Sequence, residues 1–185
     1  MTTVIGIDPG KEGGICIISG PSFSLHVDAR VMPMMRGKGR SAYNIDALRE
    51  LFTGQPIDLV VVELQQAMRG GTKFDGAVAS FSSGTGFGIL LGMLVMGQIP
   101  HEVVNSKTWQ AKMLKGVVGP DTKAKAALVA QRLQPRINWK KSDHWACKDP
   151  HTGKCDAYCI AEYGRRELAK RAGQVLAPLD FAIGA

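Results

Sequence analysis

Residues 4–10 read VIGIDPG, an apolar run that ends at one carboxylate and then turns. The uncharged run of β-branched residues predicts a buried strand, and Asp-Pro-Gly is typical of a turn, so Asp8 should lie at the strand's carboxyl end. A second apolar run, GGICII at residues 13–18, follows closely enough to predict a hairpin. Asp8 is therefore either a turn-forming residue that accepts backbone N–H groups or a functional carboxylate.

Charge is distributed unevenly along this chain of 185 residues, whose formal net charge is +7. Residues 1–100 contain 8 Lys and Arg against 8 Asp and Glu, whereas residues 101–185 contain 15 against 8. The length and the 45% hydrophobic content fit one ordinary domain, which we expect at residues 1–172 with a tail at 173–185. The basic second half predicts a polyanionic partner, and nucleic acid is favoured over a membrane surface because no basic amphipathic helix stands out.

The N-terminus has no basic region followed by a continuous apolar segment, so we expect no signal peptide and a cytoplasmic protein. The longest apolar stretch, residues 86–99, contains four glycines and is shorter than the roughly 20 residues of a membrane-spanning helix. Four cysteines without a secretory signal are expected to remain free thiols.

A second strand ends in a carboxylate in the same way as the first. Residues 57–63, IDLVVVE, show no alternation, which predicts a strand buried on both faces that ends at Glu63. Two neighbouring strands of this kind would place Asp8 and Glu63 at one edge of a sheet. A solvated glutamate at a strand end is the alternative for Glu63 considered alone.

Other patterns complete the predicted sheet and its helices. Residues 24–31 predict a third strand, residues 32–40 an aperiodic surface loop, and residues 102–104 a short fifth strand. Helices are predicted as follows: one capped by Asn44 and ending at Gly54, one at 77–96, one from Ser106, one capped by Asp121 or Thr122, and one from Ala157. Asp156 would stand in the first turn of the last helix, where acidic residues commonly just complement the helix dipole.

In this order, the predicted elements resemble the RuvC-type Holliday junction resolvases of bacteria and their phages, within the ribonuclease-H-like superfamily. The resemblance covers residues 3–171 and rests on IGIDPG at 5–10, VVVE at 60–63, the glycine-rich helix after it, KTWQ at 107–110 and its continuation into the Lys123 helix, and DAYCIAEYG at 156–164. It implies an α/β fold with a mixed five-stranded sheet, three antiparallel strands and then parallel strands, flanked by helices.

The resemblance also implies a structure-selective endonuclease that cuts DNA at four-way junctions and leaves 5′-phosphate and 3′-hydroxyl ends. Asp8, Glu63 and Asp156 would be the catalytic residues and would hold two Mg²⁺ or Mn²⁺ ions, with Asp8 bridging both. The residue types agree with this role, because oxygen ligands favour these ions and two such ions can activate water and neutralise the phosphate. Clustered carboxylates should also raise one another's pKa.

The family acts as a homodimer on branched DNA, which fits a smooth ridge of Gly84, Gly88 and Gly92 on the helix at 77–96. No membrane and no nucleotide cofactor are expected. Candidate DNA contacts are Lys107, Lys112, Lys115 and Lys123 for phosphates, with Met68 or Phe74 as a wedge at the crossover. Ordinary solvation is the alternative for the lysines.

The chain departs from the family at a fourth metal ligand. Such resolvases usually carry it three or four positions before the helix-opening aspartate, where this chain has Gly153 and Thr152. Neither can replace a carboxylate. His151 is the favoured substitute and Asp149 the other candidate, and a nitrogen ligand would favour Mn²⁺ over Mg²⁺.

Two other functions compete with this interpretation. IGIDPG also resembles the phosphate-loop strand of actin-like and sugar-kinase ATPases, although those enzymes normally need two such domains. The pattern H-x2-C-x3-H-x3-C could instead form a structural zinc site in a DNA-binding module. Its residues are His144, Cys147, His151 and Cys155.

Overall fold

The computed structural model describes residues 2–21, 24–35, 42–65, 75–142, 144, 146–177 and 179. Strands predominate in the first part, and helices predominate in the second. In chain order the elements are β1 (Thr2–Asp8), β2 (Gly14–Gly20), β3 (His26–Val31), β4 (Met34–Met35), β5 (Ala42–Tyr43), α1 (Ile45–Thr53), β6 (Leu59–Glu63), α2 (Asp75–Met96), β7 (His101–Val104), α3 (Ser106–Met113), α4 (Thr122–Leu133) and α5 (Thr152–Arg171).

The main sheet has five strands in the order β3-β2-β1-β6-β7. β1 pairs antiparallel with β2, and β2 pairs antiparallel with β3, whereas β6 is parallel to β1 and β7 is parallel to β6. The predicted mixed sheet, three antiparallel strands followed by parallel strands, is therefore confirmed.

Both faces of the central strands are buried, which explains why their sequences do not alternate. Along β1, Ile5 and Ile7 belong to a hydrophobic cluster that includes residues of α1 and α2, whereas Val4 belongs to a second cluster that includes residues of α3, α4 and α5. β6 divides in the same way, since Val60 and Val62 join the first cluster and Val61 the second. Helices thus cover the sheet on both sides.

Helix α5 lies unusually close to the central strand. A Cβ atom added at Gly6 of β1 would lie 2.7 Å from the Cα atom of Ala161, closer than real Cβ contacts come. On the helix side, a Cβ added at Gly164 would lie 2.5 Å from Cγ2 of Val61. The two glycines therefore let the helix backbone approach the sheet directly, which fixes the position of every α5 side chain relative to β1.

The aperiodic loop predicted at residues 32–40 is partly wrong. Met34 pairs with Tyr43 and Met35 with Ala42 in a separate two-stranded sheet, and a two-residue strand is too short to show any periodicity. Residues 36–41 lie outside the described part. The α1 prediction is confirmed, because the Asn44 side chain accepts a 3.1 Å hydrogen bond from the Ala47 amide and the helix ends at Gly54.

Two further observations concern the chain as a whole. All four cysteines are free, as predicted. Of the helices in the described residues, none combines the length and apolarity needed to cross a membrane.

Beyond α5, the Arg166 guanidinium donates a 2.8 Å hydrogen bond to the carbonyl of Ala177, and Leu179 packs against the second cluster.

Candidate active site

Two carboxylates meet at the edge of the sheet where β1 and β6 end. The register of these parallel strands pairs Ile7 with Val62. The next residues, Asp8 and Glu63, therefore lie side by side at the ends of β1 and β6. Both side chains are partly buried. The prediction that these two strand ends share one edge of the sheet is therefore confirmed.

Helix α5 brings the third carboxylate to the same edge. A Cβ added at Gly14 would lie 2.5 Å from the carbonyl oxygen of Gly153, and one added at Gly153 would lie 2.6 Å from the Cα atom of Gly13. The first turn of α5 thus rests on the turn between β1 and β2, directly after Asp8. A carboxylate in place of Gly153 would collide with that turn, which gives a physical reason for its absence.

The position of Asp156 within α5 differs from the sequence prediction. The helix begins at Thr152 with His151 as its N-cap, so Asp156 stands in the second turn and no acidic residue occupies the first. The sequence pattern did not predict this earlier start of the helix, because Gly153 is a weak helix former. The favourable interaction of a first-turn carboxylate with the helix dipole therefore does not explain why residue 156 is an aspartate.

The three carboxylates interact electrostatically. Burial raises the pKa of Asp156 to about 8, with repulsion from Asp8 and Glu63 adding to the increase and Lys123 opposing it. Burial also raises the pKa of Asp8, which the backbone N–H of Gly10 and the charge of Lys123 partly offset. The pKa of Glu63 is raised by burial and by Asp8, against a hydrogen bond from Trp109. The site thus concentrates negative charge that the protein only partly compensates.

This donor set fits a hard cation in its chemistry. Buried carboxylate oxygens are the ligands that Mg²⁺ and Mn²⁺ prefer, and a divalent ion would relieve the repulsion among them. Within the described ranges, no group of three or more His, Cys, Asp or Glu side chains is close enough to hold a metal ion as the side chains stand. The side chains would therefore have to converge on the ion when it binds.

Two aromatic residues contact the site, and the sequence patterns did not predict that either belongs to it. The indole Nε1 of Trp109, a buried residue of α3, donates a 2.7 Å hydrogen bond to Oε2 of Glu63. The hydroxyl of Tyr43 donates to the carbonyl of Pro9, the residue after Asp8, and burial together with the Asp8 charge raises the pKa of Tyr43 to about 12. Trp109 stands in the KTWQ segment of the resemblance, whereas nothing in the sequence indicates Tyr43.

The side chain of His151 has a structural role. Its Nδ1 accepts a 3.3 Å hydrogen bond from the Lys154 amide and so caps α5. Burial and the charge of Lys154 lower its pKa, which favours the neutral ring with its proton on Nε2. Ligation of a metal through either nitrogen would cost this cap, because Nδ1 would be occupied or protonated. Asp149, the other candidate ligand, is exposed.

The zinc pattern is not assembled. Cys155 is fully buried within α5, and burial raises the pKa of its thiol to about 12. The Cys147 thiol donates to the carbonyl of Asp149 at 3.9 Å. In the part of the chain that the structure describes, no three of His144, Cys147, His151 and Cys155 lie close enough together to hold a metal ion.

The candidate DNA contacts differ in their surroundings. Lys107, Lys115 and Lys123 are exposed, and only Lys123 appears among the charges that shift the pKa values of Asp8 and Asp156. Lys112 pairs with Glu167 at 2.8 Å and lies 5.1 Å from the centre of the Tyr163 ring. Met68 and Phe74 lie outside the described residues.

The predicted glycine ridge faces open space. Cβ atoms added at Gly84, Gly88 and Gly92 would meet no described atom within 4 Å. Phe81 and Met96, at the two ends of the same helix, have 75% and 84% of their surface exposed. Part of α2 is thus an apolar face that no described residue covers.

Comparison with known proteins gives likeness in structure without likeness in sequence. No protein-family model and no curated protein sequence matches the chain. A Thermus thermophilus RuvC in complex with a Holliday junction substrate has a TM-score of 0.64 at 16% identity, over 97% of this chain and 100% of that one. A second T. thermophilus RuvC structure gives 0.56 at 18% identity, over 96% and 100%. The yeast mitochondrial Holliday junction resolvase Ydc2 gives 0.52 at 12% identity, over 93% and 81%. The chain therefore has the RuvC fold, as the sequence resemblance implied.

Proposed function

We propose that this chain, which has the fold of the RuvC resolvases, is itself a structure-selective DNA endonuclease that resolves four-way junctions in recombination or replication. The observation that carries the proposal is the placement of Asp8, Glu63 and Asp156 at one sheet edge, where Asp8 raises the pKa of both other carboxyls and Glu63 raises that of Asp156. Repulsion among carboxylates does not stabilise the fold, so a cation-binding role explains their arrangement best.

The chemistry proposed is phosphodiester hydrolysis. Two Mg²⁺ or Mn²⁺ ions held by Asp8, Glu63 and Asp156 would supply an activated water, neutralise the phosphate and stabilise the leaving oxygen. Lys123, whose charge reaches Asp8 and Asp156, would attract the phosphate toward the site. Trp109 holds one oxygen of Glu63 in a fixed orientation. The expected products carry 5′-phosphate and 3′-hydroxyl ends.

A homodimer would present two such sites to the two strands that must be cut in a four-way junction. The uncovered apolar face of α2 supports this proposal, because its glycine ridge leaves room for close approach of a second copy. Lys107, Lys112 and Lys115 are retained as proposed DNA contacts, although Lys112 would first have to leave Glu167.

The test is cleavage of a labelled four-way junction compared with a linear duplex of the same sequence, with Mg²⁺, with Mn²⁺ and with chelator. Paired incisions in the junction that require the cation are expected, and the duplex should remain intact. Equal cutting of both substrates, or cutting of neither, would contradict the proposal.

A further inference from the structure

A paired segment projects from the start of α5, outside the residues that the resemblance assigns to DNA. It consists of residues 138–142 and 147–151, called here the basic stem. Lys140 forms a β-bridge with Pro150, the Lys141 amide donates to the Asp149 carbonyl at 2.8 Å, and the His151 amide donates to the Trp139 carbonyl at 2.7 Å. These two hydrogen bonds make up the bridge and hold the two arms together.

The base of the stem is anchored to the core. The Trp139 side chain is buried, its ring centre lies 5.5 Å from that of Tyr158 on α5, and its indole donates a 2.9 Å hydrogen bond to the Gln134 carbonyl. The Lys154 ammonium donates a 2.8 Å hydrogen bond to the Asn138 carbonyl, which joins the first arm to the first turns of α5. The stem therefore has a defined position relative to the helix that carries Asp156.

The stem presents three exposed cations. Lys140 and Lys141 on one arm and Lys148 on the other are exposed. None of the three forms a salt bridge with a carboxylate of the described ranges.

The stem lies within reach of a strand bound at the carboxylates. His151 precedes Asp156 by five residues, and a rise of about 1.5 Å per residue puts the stem base on the order of 8 Å from it along the helix. One strand of a duplex carries a phosphate roughly every 3.4 Å of axis. A strand that runs from Asp156 toward the stem would therefore bring phosphates two or more positions from the scissile one beside the stem.

We propose that the basic stem is a DNA-backbone clamp, in which Lys140, Lys141 and Lys148 contact phosphates that flank the cleaved bond. The inference rests on the proposed nuclease function and adds a contact surface to it. Contacts of this kind position the strand without reading its sequence. They would also offset the repulsion between DNA and the carboxylates of the site.

The experiment measures junction binding with chelator present, which removes cleavage, as a function of salt concentration. The triple variant Lys140→Ala/Lys141→Ala/Lys148→Ala should flatten the slope of log K against log salt by up to about 0.9 per lost contact. The charge-preserving Lys→Arg triple should keep the wild-type slope. The single variant Lys141→Ala is compared with Lys170→Ala, which removes one exposed cation from the far end of α5 and should keep the wild-type slope.

The clamp is overturned if the wild type binds and cleaves the junction while the alanine triple keeps the wild-type slope. A wild type that neither binds nor cleaves the junction would overturn the proposed function and the clamp together. An alanine triple with a smaller slope, an unchanged melting temperature and a weaker affinity than the Lys170→Ala variant supports the clamp.

Discussion

Trp109 Nε1 donates a 2.7 Å hydrogen bond to Glu63 Oε2, so a buried residue of α3 holds one oxygen of a carboxylate that ends β6. The bond also lowers the pKa of Glu63, against the larger effect of burial. The hydrogen bond thereby favours the ionised form of Glu63 and fixes the orientation of Oε2. Trp109 is a positioning residue of the proposed cation site.

The variant Trp109→Phe tests this relationship. It keeps an aromatic ring in the core but removes the N–H group, so we expect cleavage to need several-fold more Mg²⁺ for half-maximal rate. The matched control is Trp139→Phe, which removes another indole hydrogen bond, to the Gln134 carbonyl. Both variants are assayed at saturating DNA, because Trp139 also anchors the basic stem. Both variants should lose roughly 1 kcal/mol of stability. An unchanged Mg²⁺ requirement in Trp109→Phe would show that the hydrogen bond does not serve the cation.

The variant Asp8→Asn should lose cleavage by at least about a thousand-fold and still bind the junction. The proposed affinity comes from lysines that contact phosphates, whereas the carboxylate serves the chemistry. Gel-shift and cleavage assays on the same protein preparation separate the two. If Asp8→Asn loses binding as well, the carboxylate edge contributes to affinity and the division of roles is wrong.

The raised pKa of Asp156 predicts a pH-dependent stability in the absence of divalent ions. With a folded pKa of about 8 and an ordinary value of 3.8, the folded protein holds a proton that the unfolded chain releases. The contribution of Asp156 to stability is therefore most favourable below about pH 4 and is lost as the pH rises through 8. Asp156→Asn should gain stability over wild type with rising pH, by at least about 1 kcal/mol at pH 9.

Chemical denaturation with chelator at pH 5 and pH 9 measures this difference. Asp46→Asn is the control, because its side chain is 79% exposed. Addition of Mg²⁺ at pH 9 should stabilise the wild type more than Asp156→Asn. Parallel pH profiles of wild type and Asp156→Asn would show that the carboxylate repulsion is not felt in solution.

His151→Ala should severely reduce Mn²⁺-dependent cleavage if the imidazole is the fourth ligand, and adding Thr152→Asp should restore Mg²⁺ activity. Since His151 also caps α5, His151→Ser provides the control, because serine caps helices but lacks the imidazole. Only the alanine variant should lose about 1 kcal/mol of stability. If His151→Ser cleaves normally and Asp149→Ala is inactive, the ligand is Asp149.

The variant Gly88→Gln tests the proposed dimer. Its Cβ would enter open space in the monomer, and replacing a helical glycine stabilises the helix by roughly 0.5–1 kcal/mol. The side chain would nevertheless block close approach of a second copy to the ridge. Light scattering should show a dimeric wild type and a folded, monomeric variant. A dimeric variant would place the interface elsewhere.

Local patterns in the sequence were sufficient for the five strands of the main sheet and for two of the three carboxylates. An uncharged β-branched run followed by a turn predicts where a strand ends, and parallel neighbours that end alike bring Asp8 and Glu63 to one edge. The caps at Asn44 and Asp121 were equally local, since each side chain bonds an amide three residues ahead.

What surrounds the carboxylates depended on contacts between residues far apart in the chain. Trp109 and Glu63 are separated by 46 positions, and Tyr43 and Pro9 by 34, so no local pattern could connect them. The start of α5 was also missed, because Gly153 disfavours a helix locally and is needed only where the β1–β2 turn touches it. The sequence by itself determined which carboxylates end the strands, whereas tertiary packing at glycine contacts decided that Asp156 joins them.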